Sequence, residues 1–169
     1  MDVSELLVEL FSRVDEHVEA VLDGLDPAEL PEAPAPDSNP IGWLLWHLTR
    51  VQDSHVSEIT GEDQVWVQPG RADRFGLAPD PSDVGYGHSP DQVRAVRPDG
   101  PDAIRDYHAA VSVRTRELLV ALTPDALDRV VDRRWDPPVT MGVRLVSIAD
   151  DAIQHAGQAA YVKGLLQRR

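Results

Sequence analysis

The chain has no cysteine among its 169 residues, and this absence removes three kinds of chemistry at once. Disulfides, cysteine-type zinc sites and a protein thiol nucleophile are all excluded. Any metal must be held by imidazole and carboxylate, and any thiol chemistry must use a thiol brought in by a substrate. Positive charge is also scarce: 16 Lys+Arg stand against 29 Asp+Glu, a net charge of −13. Such a surface repels phosphate backbones and anionic membranes, so neither nucleic acid nor a membrane is an expected partner. No apolar run approaches the ~18 residues needed to span a bilayer. The N-terminus (MDVSELLVELFSRVDEH) is amphipathic and acidic from Asp2 onward, unlike a signal peptide. The expectation is a cytoplasmic protein.

What is present reads as one domain over 1–169, long enough to bury a real core without staples. Hydrophobic residues make up 42% and charged residues 27%, close to globular norms, and 14 prolines gather in a few places. Helical periodicity appears in four long segments. The first covers about 3–25, with Leu6, Leu7, Leu10, Phe11, Val14, Val18, Val21 and Leu22 on one stripe, and stops at Gly24 and a proline-rich stretch. The second is expected to start with Ser38 or Asn39 as N-cap and Pro40 at the first helical position, and to end at Gly61. The third covers about 101–122 and the fourth about 141–167.

Residues 61–100 form a long irregular connection between the second and third helices. Its aromatic and basic members (Trp66, Arg71, Arg74, Phe75, Tyr86, His88) argue for an ordered cover over something. A short helix inside it should be capped by Ser89 with Pro90 first. Another short helix, TPDALDRVV, should be capped by Thr123 and be followed by the turn WDPPVT. No convincing alternating strand is visible. The fold class is therefore all-α, a four-helix bundle.

Within this frame Asp151 and His155 lie four residues apart on the fourth helix. Such a pair shares one helix face, about one turn apart. On spacing alone it is an ordinary surface pairing. However, Leu145, Ile148, Ala149, Ala152, Ala156, Ala159 and Ala160 define the core face. At ~100° per residue, His155 falls ~40° and Ile148 ~60° from Asp151, which puts the pair at the edge of the apolar arc. Asp150 and Gln154 point away. On the second helix His47 lies on the flank of the arc made by Leu44, Leu45, Leu48 and Val51. A carboxylate beside the core needs a cation, whether metal, Arg or protonated His. Two facing helices that present His and carboxylate to one seam are how bundle metal sites are built, and three ligands leave a coordination position open. His55, about 12 Å along the helix from His47, is too far to share its metal. His17 and His108 have ordinary surface or interhelix readings, whereas His88 reaches the site if the long loop folds over it. Arg50 and Asp53 read as structural partners on the second helix.

The stretches NPIGWLLWHLTRVQDSH, GYGHSPDQV and VTMGVRLVSIADDAIQHAGQAAYVKGLL resemble the DinB-like superfamily over nearly the whole chain. More narrowly they resemble its DUF664 (DinB_2-type) branch, related to the metal-binding domain of mycothiol-dependent maleylpyruvate isomerase. The resemblance implies a DinB/YfiT-like bundle of up-up-down-down type with a long crossover, often dimeric. It also implies a divalent metal ion, zinc or nickel. The ligands in such proteins are a His in the second helix and, in the fourth, a His or acidic residue followed four positions later by His. Here these positions match His47, Asp151 and His155. Many members carry His or Glu where Asp151 stands.

The activity implied is thiol-dependent S-transfer or isomerisation with a small-molecule substrate and a low-molecular-weight thiol such as mycothiol, in a homodimer. Arg74, Tyr86 and His88 are the candidate substrate-pocket residues, and no catalytic residue is assigned. Two other readings keep the fold: a metal-dependent hydrolase, and a non-catalytic small-molecule-binding bundle associated with stress.

Overall fold

The computed structural model describes residues 1–168, and its helices follow the apolar spacing. Helix α1 (Val3–Leu22) buries Leu7, Phe11, Val14, Val18, Val21 and Leu22. Asp2 and Glu5 cap it reciprocally, each side chain accepting from the other's backbone N–H. It stops short of Leu25 because Gly24 adopts a left-handed φ of 65°. At this end the Lys163 ammonium donates to the carbonyls of Ala20 and Asp23, which have no helical partners.

Helix α2 (Ile41–Thr60) starts one residue later than expected. Pro40 itself is the N-cap, with ψ 163°, and no side chain caps the helix. One free N–H, that of Gly42, instead bonds the carbonyl of Leu30 at 2.9 Å, so the proline-rich segment supplies the cap from its backbone. Fourteen of the twenty residues of α2 are buried, His47 among them, and the exposed ones, Glu58 and Thr60, lie in its last turn.

Helix α3 (Pro90–Ala95) carries the expected Ser89 capping box with Gln92. Helix α4 (Pro101–Val120) follows Gly100. The segment Pro124–Asp128 is a 3-10 helix that Thr123 precedes without a side-chain cap. Two short strands, β1 (Val130–Asp132) and β2 (Val139–Thr140), then pair antiparallel around the Trp135 turn. This hairpin was not expected: strands of three and two residues are too short to show alternation. Helix α5 (Met141–Leu166) takes its first cap from Thr140, and Ala160, expected in the core, faces solvent.

The four long helices form an all-α bundle in which α1 and α2 each pack on both α4 and α5. The apolar core falls into two clusters. One gathers Trp43, Trp46, Trp66, Phe75 and Tyr107, and the other Phe11, Ile59, Leu119, Met141, Leu145 and Ile148. The 61–100 connection is sewn onto α2 and α4. The Asp53 carboxylate accepts the N–H groups of Val65 and Trp66 at 2.9 and 2.8 Å. Trp66 and Phe75 pack edge to face, and both lie against Tyr107. A connection anchored this way can hold a backbone segment in place over α2.

Candidate metal centre

The α2–α5 contact, the most extensive between two helices here, brings His47 against Asp151 and His155. Asp151 Oδ1 lies 3.8 Å from His47 Nε2 and 3.5 Å from His155 Nε2. The rings of His47 and His155 meet edge to face, centroids 4.7 Å apart. Among the described residues this is the one group of three His, Asp or Glu side chains whose ligand-type atoms lie together, all within 4.8 Å. Two ligands on one tetrahedral zinc ion sit about 3.4 Å apart, so the carboxylate already stands near that separation from both imidazoles.

The outer nitrogen of each ring decides which atom faces inward. His47 Nδ1 lies 2.5 Å from the carbonyl oxygen of Val84, which can only accept, so the hydrogen is on Nδ1 and Nε2 is bare. His155 Nδ1 donates to Gln158 Oε1 at 2.7 Å, with the same result. Metal-ligating histidines are oriented in this manner, by an acceptor on the distal nitrogen. Asp151 Oδ2 is buried and has no hydrogen-bond partner among the described residues. Two lone pairs and a carboxylate therefore converge, an arrangement that is repulsive unless a cation lies between them. The donor set and its orphaned oxygen fit a divalent ion.

The charge balance shows the same demand. Burial pushes the Asp151 carboxyl up, but the two imidazoles that face it outweigh burial and hold its pKa at about 2. In turn the Asp151 carboxylate raises His155, against the opposing pull of burial.

Three aromatic contacts wall the site. The Trp43 ring stacks on His47, centroids 4.7 Å and planes 9° apart, and meets His155 edge-on at 6.2 Å. Trp43 Nε1 donates to His88 Nδ1 at 3.2 Å, and His88 stacks on Trp46. His88 thus folds over this end of the bundle but stands one tryptophan away from the trio, with its Nε2 bonded to Asp83 at 2.8 Å. Tyr86, on the same loop, is 94% exposed. Arg74 is occupied by Asp99 and Asp106 on the outside of the connection. The structure does not gather Arg74, Tyr86 and His88 into one pocket with the trio. Sequence reasoning missed Trp43, Gln158 and the Val84–Gly85 backbone. Gln158 had a signal, three residues after His155 on the same helix, whereas Val84 had none, because a carbonyl is common to every residue.

The family model described as mycothiol-S-transferase matches residues 6–167. The chain belongs to the mycothiol-S-transferase family of DinB-like proteins. A crystal structure described as a conserved protein from Enterococcus faecalis is similar over 100% of this chain and 99% of that one, at 34% identity and a TM-score of 0.90. No curated protein matches the chain. Among the described residues no helix is long and apolar enough to cross a membrane.

Proposed function

We propose that this mycothiol-S-transferase family member is a metal-dependent thiol S-transferase, with His47, Asp151 and His155 holding one divalent cation, zinc before nickel, and a low-molecular-weight thiol such as mycothiol as co-substrate. The observation that carries the reading is the convergence of two bare Nε2 atoms on a carboxylate with one unpartnered oxygen. A cation bound there supplies the positive charge that lowers the pKa of a thiol or polarises the electrophile it attacks.

The chain's own residues hold and orient. Asp151, ionised across the working pH range, neutralises part of the charge. Val84 and Gln158 keep both imidazoles in the ligating tautomer, and Trp43 closes one side against water. The absence of cysteine fits the scheme, since the thiol must come from outside.

Two measurements test the reading. Protein purified without a nickel column should contain about one equivalent of divalent metal, and His155→Ala should contain far less. Equal metal in both would remove the ligand assignment. Metal-loaded protein should consume mycothiol with a monobromobimane or chlorodinitrobenzene electrophile faster than the metal-free form, and no acceleration would remove the transferase.

A further inference from the structure

A buried arginine lies three residues beyond His47 on α2, outside the trio itself. Arg50 is fully buried, with its guanidinium 5.0 Å from the Trp66 ring centroid. A guanidinium stays charged inside a protein, so every donor it carries must find an acceptor. Only one edge of Arg50 faces side chains: Nη1 reaches the Tyr107 hydroxyl at 3.1 Å and Asp53 Oδ2 at 3.5 Å. Its other donors go to the backbone of one segment. Nε bonds the Asp83 carbonyl at 3.0 Å, and Nη2 bonds that of Pro81 at 3.1 Å with Asp80 at 3.5 Å. The next residue after Asp83 is Val84, whose carbonyl orients His47.

The strap 80–85 therefore lies across one turn of α2 and is pinned to it at both His47 and Arg50. Gly85 shows how close the approach is. A Cβ there would come within 2.8 Å of Trp46 Cζ3 and 2.9 Å of His47 Nδ1, and its φ of 88° disfavours any side chain. Within the strap the Asp83 carboxylate accepts from the Gly85 N–H and from His88, which ties it to the segment that follows.

We propose that Arg50 is a positioning residue for His47: it clamps the strap whose Val84 carbonyl keeps the imidazole hydrogen on Nδ1 and leaves Nε2 bare as the ligand atom. The proposal rests on the reading of His47 as a ligand for its consequence, but the tautomer itself is measurable without metal. Arg50 is suited to the task where lysine is not. A rigid planar fork reaches several carbonyls of one segment while keeping contact with Asp53, whereas an ammonium is a point charge on a flexible stem. In that assignment Gly85 is required because the carbonyl must come within hydrogen-bond range of a ring already stacked on Trp43.

The test uses metal-free, full-length protein labelled with 15N at histidine, read at a pH where His47 is neutral. In the wild type, His47 should show a protonated Nδ1 and an unprotonated Nε2. In Arg50→Lys and Gly85→Ala the population should move toward Nε2–H, and zinc affinity should fall about ten- to a hundredfold. Tyr86→Ala, on the exposed tip beside the strap, should change neither. A folded Gly85→Ala or Arg50→Lys with the wild-type tautomer and zinc affinity would overturn the proposal, as would a wild-type His47 protonated at Nε2. If the wild type shows the predicted tautomer but binds no zinc, the metal reading fails and the strap stands. If Arg50→Lys does not fold, Gly85→Ala and the wild-type tautomer still decide.

Discussion

At the scale of the residue, Asp151 is the side chain on which the centre turns. It is the only anion of the trio, and its inner oxygen faces both imidazoles while the outer one has no partner. Asp151→Asn keeps the shape and removes the charge. Zinc affinity should fall at least tenfold by calorimetry, because the two neutral imidazoles then have no counter-charge to share with the cation. Asp151 and His155 were legible in the sequence because an i, i+4 pair is a local fact and the apolar arc beside it is visible in the same helix. The direction of their lone pairs was not legible, because it depends on acceptors that the spacing does not reveal.

At the scale of the element, α2 shows how a helix can be placed without a side-chain cap. Its start depends on the Gly42 N–H reaching Leu30, and a Cβ at Gly42 would lie 3.0 Å from that same oxygen and 3.2 Å from Pro98. Gly42→Ala should therefore destabilise the protein by about 1–3 kcal/mol in urea titration, despite the better helix propensity of alanine. The β1–β2 hairpin is anchored differently. The Asp132 carboxylate takes Arg134 Nη2 at 2.8 Å and Arg144 Nη2 at 2.7 Å, which ties the hairpin to α5. Hydrogen bonds from Arg134, reinforced by Arg144, hold its carboxyl well below the ordinary range.

A carboxyl depressed on folding adds stability above its unfolded value and loses it as pH falls toward the folded one. The melting temperature should thus drop between about pH 4 and pH 2. Asp132→Asn should lie lower than the wild type at pH 7 and fall less steeply on acidification; curves parallel to the wild type would contradict this. Here the sequence was partly silent. Helix ends marked by Gly24, Gly61 and Ser89 were readable, but the hairpin was not, since its two strands are too short to carry a pattern and its Asp132 is tied to Arg144 of α5.

At the scale of the whole molecule, the excess of acidic groups sets how the protein meets other polymers. With a net charge of −13, the surface as a whole repels a polyanionic duplex and offers few cations to displace its counterions. The protein should not shift duplex DNA in gel or anisotropy assays at any salt concentration, and a complex that weakens steeply with salt would count against the expectation. The bundle also explains why the candidate centre lies where it does. Helix α2 is buried on nearly all sides because the 61–100 connection covers the face that the other long helices leave open.

The sequence by itself determined the four long helices, the exclusion of thiolate ligands, and the shared face of Asp151 and His155, because each follows from composition or from periodicity within one element. Tertiary structure alone decided that His47 is buried, that α2 and α5 bring it to within 3.8 Å of Asp151, and that a backbone carbonyl from 37 residues away fixes which nitrogen it offers. Periodicity tells which side of a helix avoids water. It does not tell which element covers that side, and the donor atoms of this centre are aimed by the elements that do.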